Sequence, residues 1–416
     1  MTDDLLAVLQ SAGHARVIVT LQRKALRDLA GSDFGRHFAP PAPEVALSLA
    51  RTSARLRGQR LATDNVAAPT FRVFPNLGLA LGTTTLDKLA GLRADNRVDA
   101  LSQSPELSLI RPVARNAARP SPKPTWGLQR LRVPEAWAAG YTGKGVIVGH
   151  LDTGVDGKHP ALAGAIHAFA EFDLAGNLVV DAIARDSDEH GTHTAGTIAG
   201  RASRTRAIGV APGCKLASAL VIEGGDVVSR ILGGMDWVIE QGARILSMSL
   251  GLRGYTTAFQ AVVDALRAAN VLPVIAVGNE FAGTSRSPGN YANVLSVGAC
   301  DVGNRVADFS SSERFSRSDD PIVPDLVAPG VAVLSCVPGR KYMTMDGTSM
   351  AAPHVAGLAA VLGQAAPRAT ASDLEAAILA SCRRPATMDP ERCNMGVPDP
   401  IEALRRLGIA LPAVVA

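Results

Sequence analysis

The chain has 416 residues, of which 47% are hydrophobic, 19% charged and 4% aromatic. That length exceeds one ordinary domain of roughly 100–200 residues, and the apolar share excludes a chain disordered throughout. Lys and Arg number 42 against 38 Asp and Glu, a net of +4 with no long single-sign run, so a nucleic-acid footprint is not indicated.

Taken in order, residues 16–21 read as a strand, 71–74 as another, 85–90 as a helix and 108–110 as a short strand, which together predict a small α+β domain over residues 1–113. Pro112, Pro120, Pro122 and Pro124 then punctuate a stretch that resists both helix and strand. Residues 114–125 are therefore read as an exposed linker, with a second domain over 126–416. In that domain apolar runs at 146–151, 216–222, 245–250, 271–277, 294–297 and 331–334 alternate with helical stretches such as 229–241 and 257–269. With so few aromatic residues the core must be aliphatic. The pattern predicts an α/β fold, a doubly wound, mainly parallel sheet with helices on both faces and active residues at the carboxyl ends of strands.

No stretch approaches the ~20 apolar residues of a membrane helix, and Met1-Thr2-Asp3-Asp4 carries no basic leader. The expectation is a cytoplasmic protein as synthesised, without a membrane partner, and with signal-independent secretion as the other route. The cysteines Cys214, Cys300, Cys336, Cys382 and Cys393 are odd in number and lack metal-ligand spacing. A disulfide framework is not expected, and a Cys382–Cys393 pair stays open.

Three residues then draw attention together. Asp152 closes an apolar strand, His190 opens the small-residue segment His190-Gly191-Thr192-His193-Thr194-Ala195-Gly196, and Ser349 stands at a Gly-led turn into an apolar helix. Alone, each has a plain reading as a turn residue, a core histidine or a helix cap. Together they supply a nucleophile, the imidazole that takes its proton and the carboxylate that orients the imidazole. Asn279, directly after a buried strand, can aim its amide at a developing oxyanion, as can the backbone N–H of Ser349.

The Asp152 and His190 segments, Gly209-Val210-Ala211-Pro212-Gly213, Met248-Ser249-Leu250-Gly251, Gly278-Asn279, Ala328-Pro329-Gly330 and Gly347-Thr348-Ser349-Met350-Ala351-Ala352-Pro353-His354 resemble, in order, those of the subtilisin-like serine proteases. The resemblance implies a serine endopeptidase acting on peptides or proteins, with Asp152, His190 and Ser349 as triad and Asn279 with Ser349 as oxyanion hole. It gives His193 and His354 structural places. It implies that Ser249, Leu250 and Gly251 pair with an extended substrate and that Ala276, Val277 and Gly278 line the specificity pocket, with Glu280 at its rim. On that reading a medium-to-large apolar residue is preferred before the scissile bond, and Glu280 also admits Lys or Arg. The first domain resembles, more weakly, the family's ferredoxin-like prodomain, an intramolecular inhibitor of an enzyme made as a zymogen. The linker would then contain or follow a self-cleavage point.

No cofactor is implied and no metal ligand set is read. Structural calcium, found in some family members after the His-motif helix, is disfavoured by the basic segment from Gly200 to Gly209. A monomer is expected. An α/β-hydrolase fails because the only histidine after Ser349 is His354, on the same helix. The remaining alternative is a catalytically silent subtilisin-like module that binds peptides.

Overall fold

A computed structural model describes residues 3–29, 33–40, 69–222 and 224–411. The first part contains α1 (Asp3–Ala12), β1 (His14–Leu21), β2 (Phe71–Phe74), β3 (Leu79–Thr85), α2 (Leu86–Ala94) and β4 (Val98–Gln103). Its antiparallel sheet has the order β2-β3-β1-β4. Side chains alternate across a strand, so one sequence serves two faces. Val17 and Val19 of β1 pack with Leu5 and Leu9 of α1 and Leu89 and Leu92 of α2. Ile18, between them, points the other way and joins Phe74, Leu79 and Leu81 in a core shared with the second part of the chain. Residues 41–68 of the expected first domain lie outside the described residues.

A short strand β5 (Ser108–Leu109) and then β6 (Ala114–Ala118) follow, before β7 (Ile147–Asp152), β8 (Ile166–Glu171), α3 (His190–Ala199), β9 (Lys215–Leu220), α4 (Val227–Glu240), β10 (Ile245–Met248), β11 (Leu250–Arg253), α5 (Gln260–Ala268), β12 (Leu272–Ala276), β13 (Arg286–Ser287), β14 (Leu295–Cys300), β15 (Leu326–Pro329), β16 (Val333–Val337), β17 (Lys341–Asp346) and α6 (Thr348–Ala365). The central seven-stranded sheet has the order β15-β14-β12-β10-β7-β9-β8, and every neighbouring pair is parallel. Helix α6 is Ala-, Gly-, Val- and Leu-rich around its whole circumference and is buried through Gly363 against the sheet, as a helix without a polar face must be.

Two expectations change, and the cysteine pairing left open is answered. Residues 331–334 do not add a strand to the parallel sheet: β15 takes its edge, and β16 forms a separate antiparallel sheet with β17 and β6. The linker is not wholly irregular either, because Ala114–Ala118 pairs along β17 from Asp346 back to Tyr342. An available strand edge imposes extension on a sequence whose own composition does not favour it. All five cysteines are free thiols, Cys382 and Cys393 included.

The two parts meet through polar contacts around the shared core. Arg16 of β1 pairs with Asp226, and its guanidinium donates to Ser229 Oγ at 3.0 Å. The backbone N–H groups of Asn76 and Leu77 both donate to Asp236 Oδ1, at 2.7 and 3.0 Å. Burial raises the Asp236 carboxyl despite these donors.

Three of the buried histidines in the second part of the chain, His150, His193 and His354, are held well below the usual imidazole range. His193 Nε2 faces the carbonyls of Val333 and Met343 at 3.0 and 3.2 Å, and His354 Nδ1 faces Met350 O at 2.8 Å. His150 lies between Ser218 and Thr194. Burial lowers them to about 4 for His150, about 3 for His193 and about 4 for His354. Between those values and the ~6.5 of an unfolded histidine, the unfolded chain binds more protons, so stability falls as pH falls through this window. Each imidazole contributes a slope of up to ~1.4 kcal/mol per pH unit. Urea unfolding midpoints are expected to drop between pH 7.5 and pH 5; a midpoint that holds or rises would contradict neutral burial.

Candidate active site

Asp152 is the last residue of β7 and is buried, with its Oδ1 accepting the Thr153 N–H at 2.7 Å. His190 is the first residue of α3, and its Nδ1 lies 2.7 Å from the same oxygen. The small residues of the His190 segment make this approach feasible. A Cβ at position 191 would stand 2.1 Å from the Gly154 carbonyl oxygen, so only glycine lets the helix start this close to the β7 loop. Burial works against the charge of Asp152, but the adjacent His190 and its other partners outweigh it and hold the carboxyl below its usual range.

Ser349 is buried in the first turn of α6, which packs against α3. Its hydroxyl is directed at Met350 Sδ, 3.7 Å away, and the structure records no hydrogen bond from it to His190. His190 Nε2 is buried with no partner among the described residues. That nitrogen is therefore free to receive a proton.

Asn279 is oriented from one end. Its Oδ1 accepts the N–H and the hydroxyl of Thr348, each at 2.9 Å, which leaves Nδ2 to donate elsewhere. Nδ2 donates to the carbonyl of Arg111 at 2.9 Å. A Cβ at Gly347 would lie 2.9 Å from Ser349 Oγ and 3.3 Å from Asn279 Nδ2, so the hydroxyl and the amide flank one small space.

Through that space runs the chain's own segment 108–113. Leu109 and Ser108 pair antiparallel with Leu250 and Gly251, the Ile110 N–H donates to Ser249 O at 2.9 Å, and the Val113 N–H donates to Asp346 O at 2.8 Å. The edge expected to bind peptide, Ser249 to Gly251, is thus paired with the chain's own backbone. Arg111 and Arg115 both reach Asp188, two residues before His190.

Ala276 ends β12, Val277 follows it, and both are buried; Gly278 has φ +126°, where a Cβ would press on Glu280 and Ser311. The role expected of Glu280 needs correction. Its carboxylate is bound by Arg286 through Nε and Nη2 and approached by Arg253 at 3.4 Å. Burial opposes its charge, yet Arg286 holds the carboxyl below its usual range. With that charge already met, Glu280 is not left to recruit Lys or Arg. The Arg286 stem also lies between the two walls: its Cβ would be 2.9 Å from a Cβ at Gly251, and its Cγ 3.3 Å from one at Gly278.

One residue beside the site, Asp186, carried no sequence signal. Asp186 accepts from Thr153 Oγ1 and from the N–H and hydroxyl of Thr192, each at 2.6 Å, and burial raises it to about 6. After α3, Arg201 donates to the carbonyls of Ala163, Gly164, Pro212 and Cys214. The loop from Gly200 to Gly209 thus carries a guanidinium on neighbouring carbonyls and contains no carboxylate, a poor donor set for calcium. Among the described residues no group of three or more His, Cys, Asp or Glu could hold a metal, and no helix is long and apolar enough to cross a membrane.

The subtilase family model matches residues 143–396, which contain every residue of this constellation except the occupying segment 108–113 and Arg115. The chain is 38% identical over 272 residues to M-protease of Shouchella clausii (strain KSM-K16), covering 65% of this chain and 67% of that protein. It is 38% identical over 244 residues to Subtilisin Savinase of Lederbergia lenta, covering 58% and 85%. With Subtilisin E of Bacillus subtilis (strain 168) the identity is 33% over 279 residues, covering 64% and 68%. A doubly wound parallel sheet, the ordered motifs at its strand ends and this match over more than half its length agree: the chain belongs to the subtilase family.

Proposed function

We propose that Ser349 is the nucleophile, His190 the general base and acid, Asp152 its orienting carboxylate, and Asn279 with the Ser349 N–H the oxyanion donors, in an enzyme held in check by its own N-terminal part. As a subtilase the chain is a serine endopeptidase. The observation that carries the finer reading is the 2.7 Å contact of His190 Nδ1 with Asp152 Oδ1 beside an unpartnered Nε2. In the reaction Ser349 Oγ attacks the peptide carbonyl as Nε2 takes its proton, and the imidazolium is stabilised by Asp152. Charge developing on the carbonyl oxygen meets Asn279 Nδ2, a donor whose loss typically costs roughly 3–4 kcal/mol of transition-state stabilisation. The amine departs with the proton held by His190, and water activated by the same nitrogen cleaves the acyl-enzyme.

Residues 1–113 act on this reading as an inhibitory prodomain, 114–125 as the connection and 126–416 as the catalytic domain. Support comes from segment 108–113 lying where substrate would lie, with the Arg111 carbonyl on the Asn279 amide. The bond offered there is Arg111–Pro112. Proline's ring substitutes the leaving nitrogen and crowds the position from which His190 must protonate it, so the segment can sit in the cleft without being consumed. A cut releasing the first part would then fall within 114–125.

A fluorophosphonate probe is expected to label the wild type once the cleft is open, and not Ser349→Ala; a released catalytic domain that folds but takes no label would leave only a peptide-binding module. N-terminal sequencing should find a new terminus within 114–125 in the wild type and none in Ser349→Ala, whereas uncut chains in both would exclude self-processing. In a peptide library, short and medium apolar residues are expected before the scissile bond, with Lys, Arg and large aromatics poor. Arg286→Gly should improve Phe or Tyr by about tenfold or more; a wild-type profile already dominated by Phe, Lys or Arg would refute the role given to Arg286.

A further inference from the structure

Behind Asp152, on the side away from His190, lies a chain of buried polar groups that the reaction as described does not use. His150 sits two residues before Asp152 on β7, so its side chain shares a face of the strand with the carboxylate. It occupies a position within an apolar run, where a histidine needs a reason. Its Nδ1 is 2.9 Å from Ser218 Oγ on the neighbouring strand β9, and its Nε2 is 2.9 Å from Thr194 Oγ1 on α3. Thr194 stands four residues after His190, one turn along the same helix, and its Oγ1 is 3.1 Å from Asp152 Oδ2. No closer route exists from His150 to the carboxylate, since Nε2 and Oδ2 are 3.8 Å apart.

The direction of each bond follows from counting protons. Thr194 has one hydroxyl proton and, besides His150 Nε2, three oxygen acceptors within reach: Asp152 Oδ2 and the carbonyls of His190 and Gly191, the last two at 3.2 and 3.1 Å. Those carbonyls belong to the helix and already take its N–H groups. The carboxylate oxygen is charged, buried and has no other recorded donor, so a hydroxyl directed there satisfies the costlier acceptor. Once that proton is committed, the bond between Thr194 Oγ1 and His150 Nε2 needs its proton from the imidazole. A neutral His150 with its hydrogen on Nε2 leaves Nδ1 bare, and Ser218 Oγ–H is placed to donate to it. Burial keeps this imidazole uncharged, so it carries a single ring proton.

We infer that His150 is a positioning residue for the proposed hydrolysis: with Ser218 and Thr194 it forms a directed relay, Ser218 to His150 to Thr194 to Asp152 Oδ2, that fixes the carboxylate's second oxygen while His190 holds the first. The inference rests on the assignment of Asp152 and His190 made above. The relay prevents the carboxylate from rotating away from Nδ1. It also draws charge from Oδ1, so the strength of the Asp152–His190 hydrogen bond is set in part by residues that never meet the substrate.

The test is NMR of the full-length chain with ¹⁵N-labelled histidine, in a Ser349→Ala background that removes self-cutting without touching the relay. His150 is expected to show a protonated Nε2 and an unprotonated Nδ1. The His190 Nδ1–H proton, protected by burial, should give a downfield signal that moves further downfield in Thr194→Val, because the unassisted carboxylate becomes the stronger acceptor. His150→Leu should shift it the same way by less, and His150→Gln, whose amide can still donate to Thr194, should return it towards the original position. A proton found on His150 Nδ1 overturns the relay, and so does an unmoved His190 signal in a folded Thr194→Val. If the variants do not fold, the tautomer in the Ser349→Ala chain decides alone. Failure of the hydrolase assignment would appear separately, as absence of fluorophosphonate labelling, and would leave this readout intact.

Discussion

How closely three backbones approach one another governs the whole site. The first turn of α3 must come near enough to the end of β7 for an imidazole to touch a carboxylate, and α6 must begin beside both. Gly191 against the Gly154 carbonyl sets the first distance, and Gly347 between Ser349 Oγ and Asn279 Nδ2 sets the second. Neither glycine contributes a functional group. A methyl at either place would displace the elements that carry the chemistry, and a shift of about 1 Å in such geometry can cost about a hundredfold in rate. The parallel sheet makes the arrangement affordable because its strands deliver Asp152 and Asn279 at the same edge, already fixed by ladder hydrogen bonds.

Much of this could be read along the chain. Asp152, His190, Asn279 and Ser349 sit in short segments whose small neighbours advertise close packing, and motif order reflects strand order in the sheet. What escaped notice depends on partners distant in sequence. Ala114–Ala118 becomes a strand because β17 offers an edge, which no property of those five residues announces. His150 hides in a run that reads as apolar, and its meaning comes from Ser218 and Thr194 on two other elements. Glu280 looked like a free charge at a pocket rim until Arg286, six residues on, was found holding it. Charge neutralisation is a property of the folded neighbourhood, so single residues overstate what they can attract.

The first part of the chain is joined to the second by two kinds of contact with different physical character. The apolar face of β1 to β3 contributes to a common core with α4, a broad and non-directional attachment. Arg16 with Asp226, and Asp236 with the N–H groups of Asn76 and Leu77, add directional anchors that fix register. The segment beyond β4 makes hydrogen bonds of the ladder type, which any extended backbone could replace. Attachment to the body and exchangeability of the tail are thereby separated within one stretch of chain, so an extended backbone that replaced the tail need not dislodge the rest.

Strand β6 has a consequence of another kind. With β5 on β11 and β6 on β17, the leading segment pairs along two different sheets at once. Uncovered margins of this sort are templates on which a neighbouring copy can build, and they are most dangerous while chains are newly made and crowded. Paired along both, the same segment takes up backbone groups that an uncovered margin would offer to a neighbouring copy.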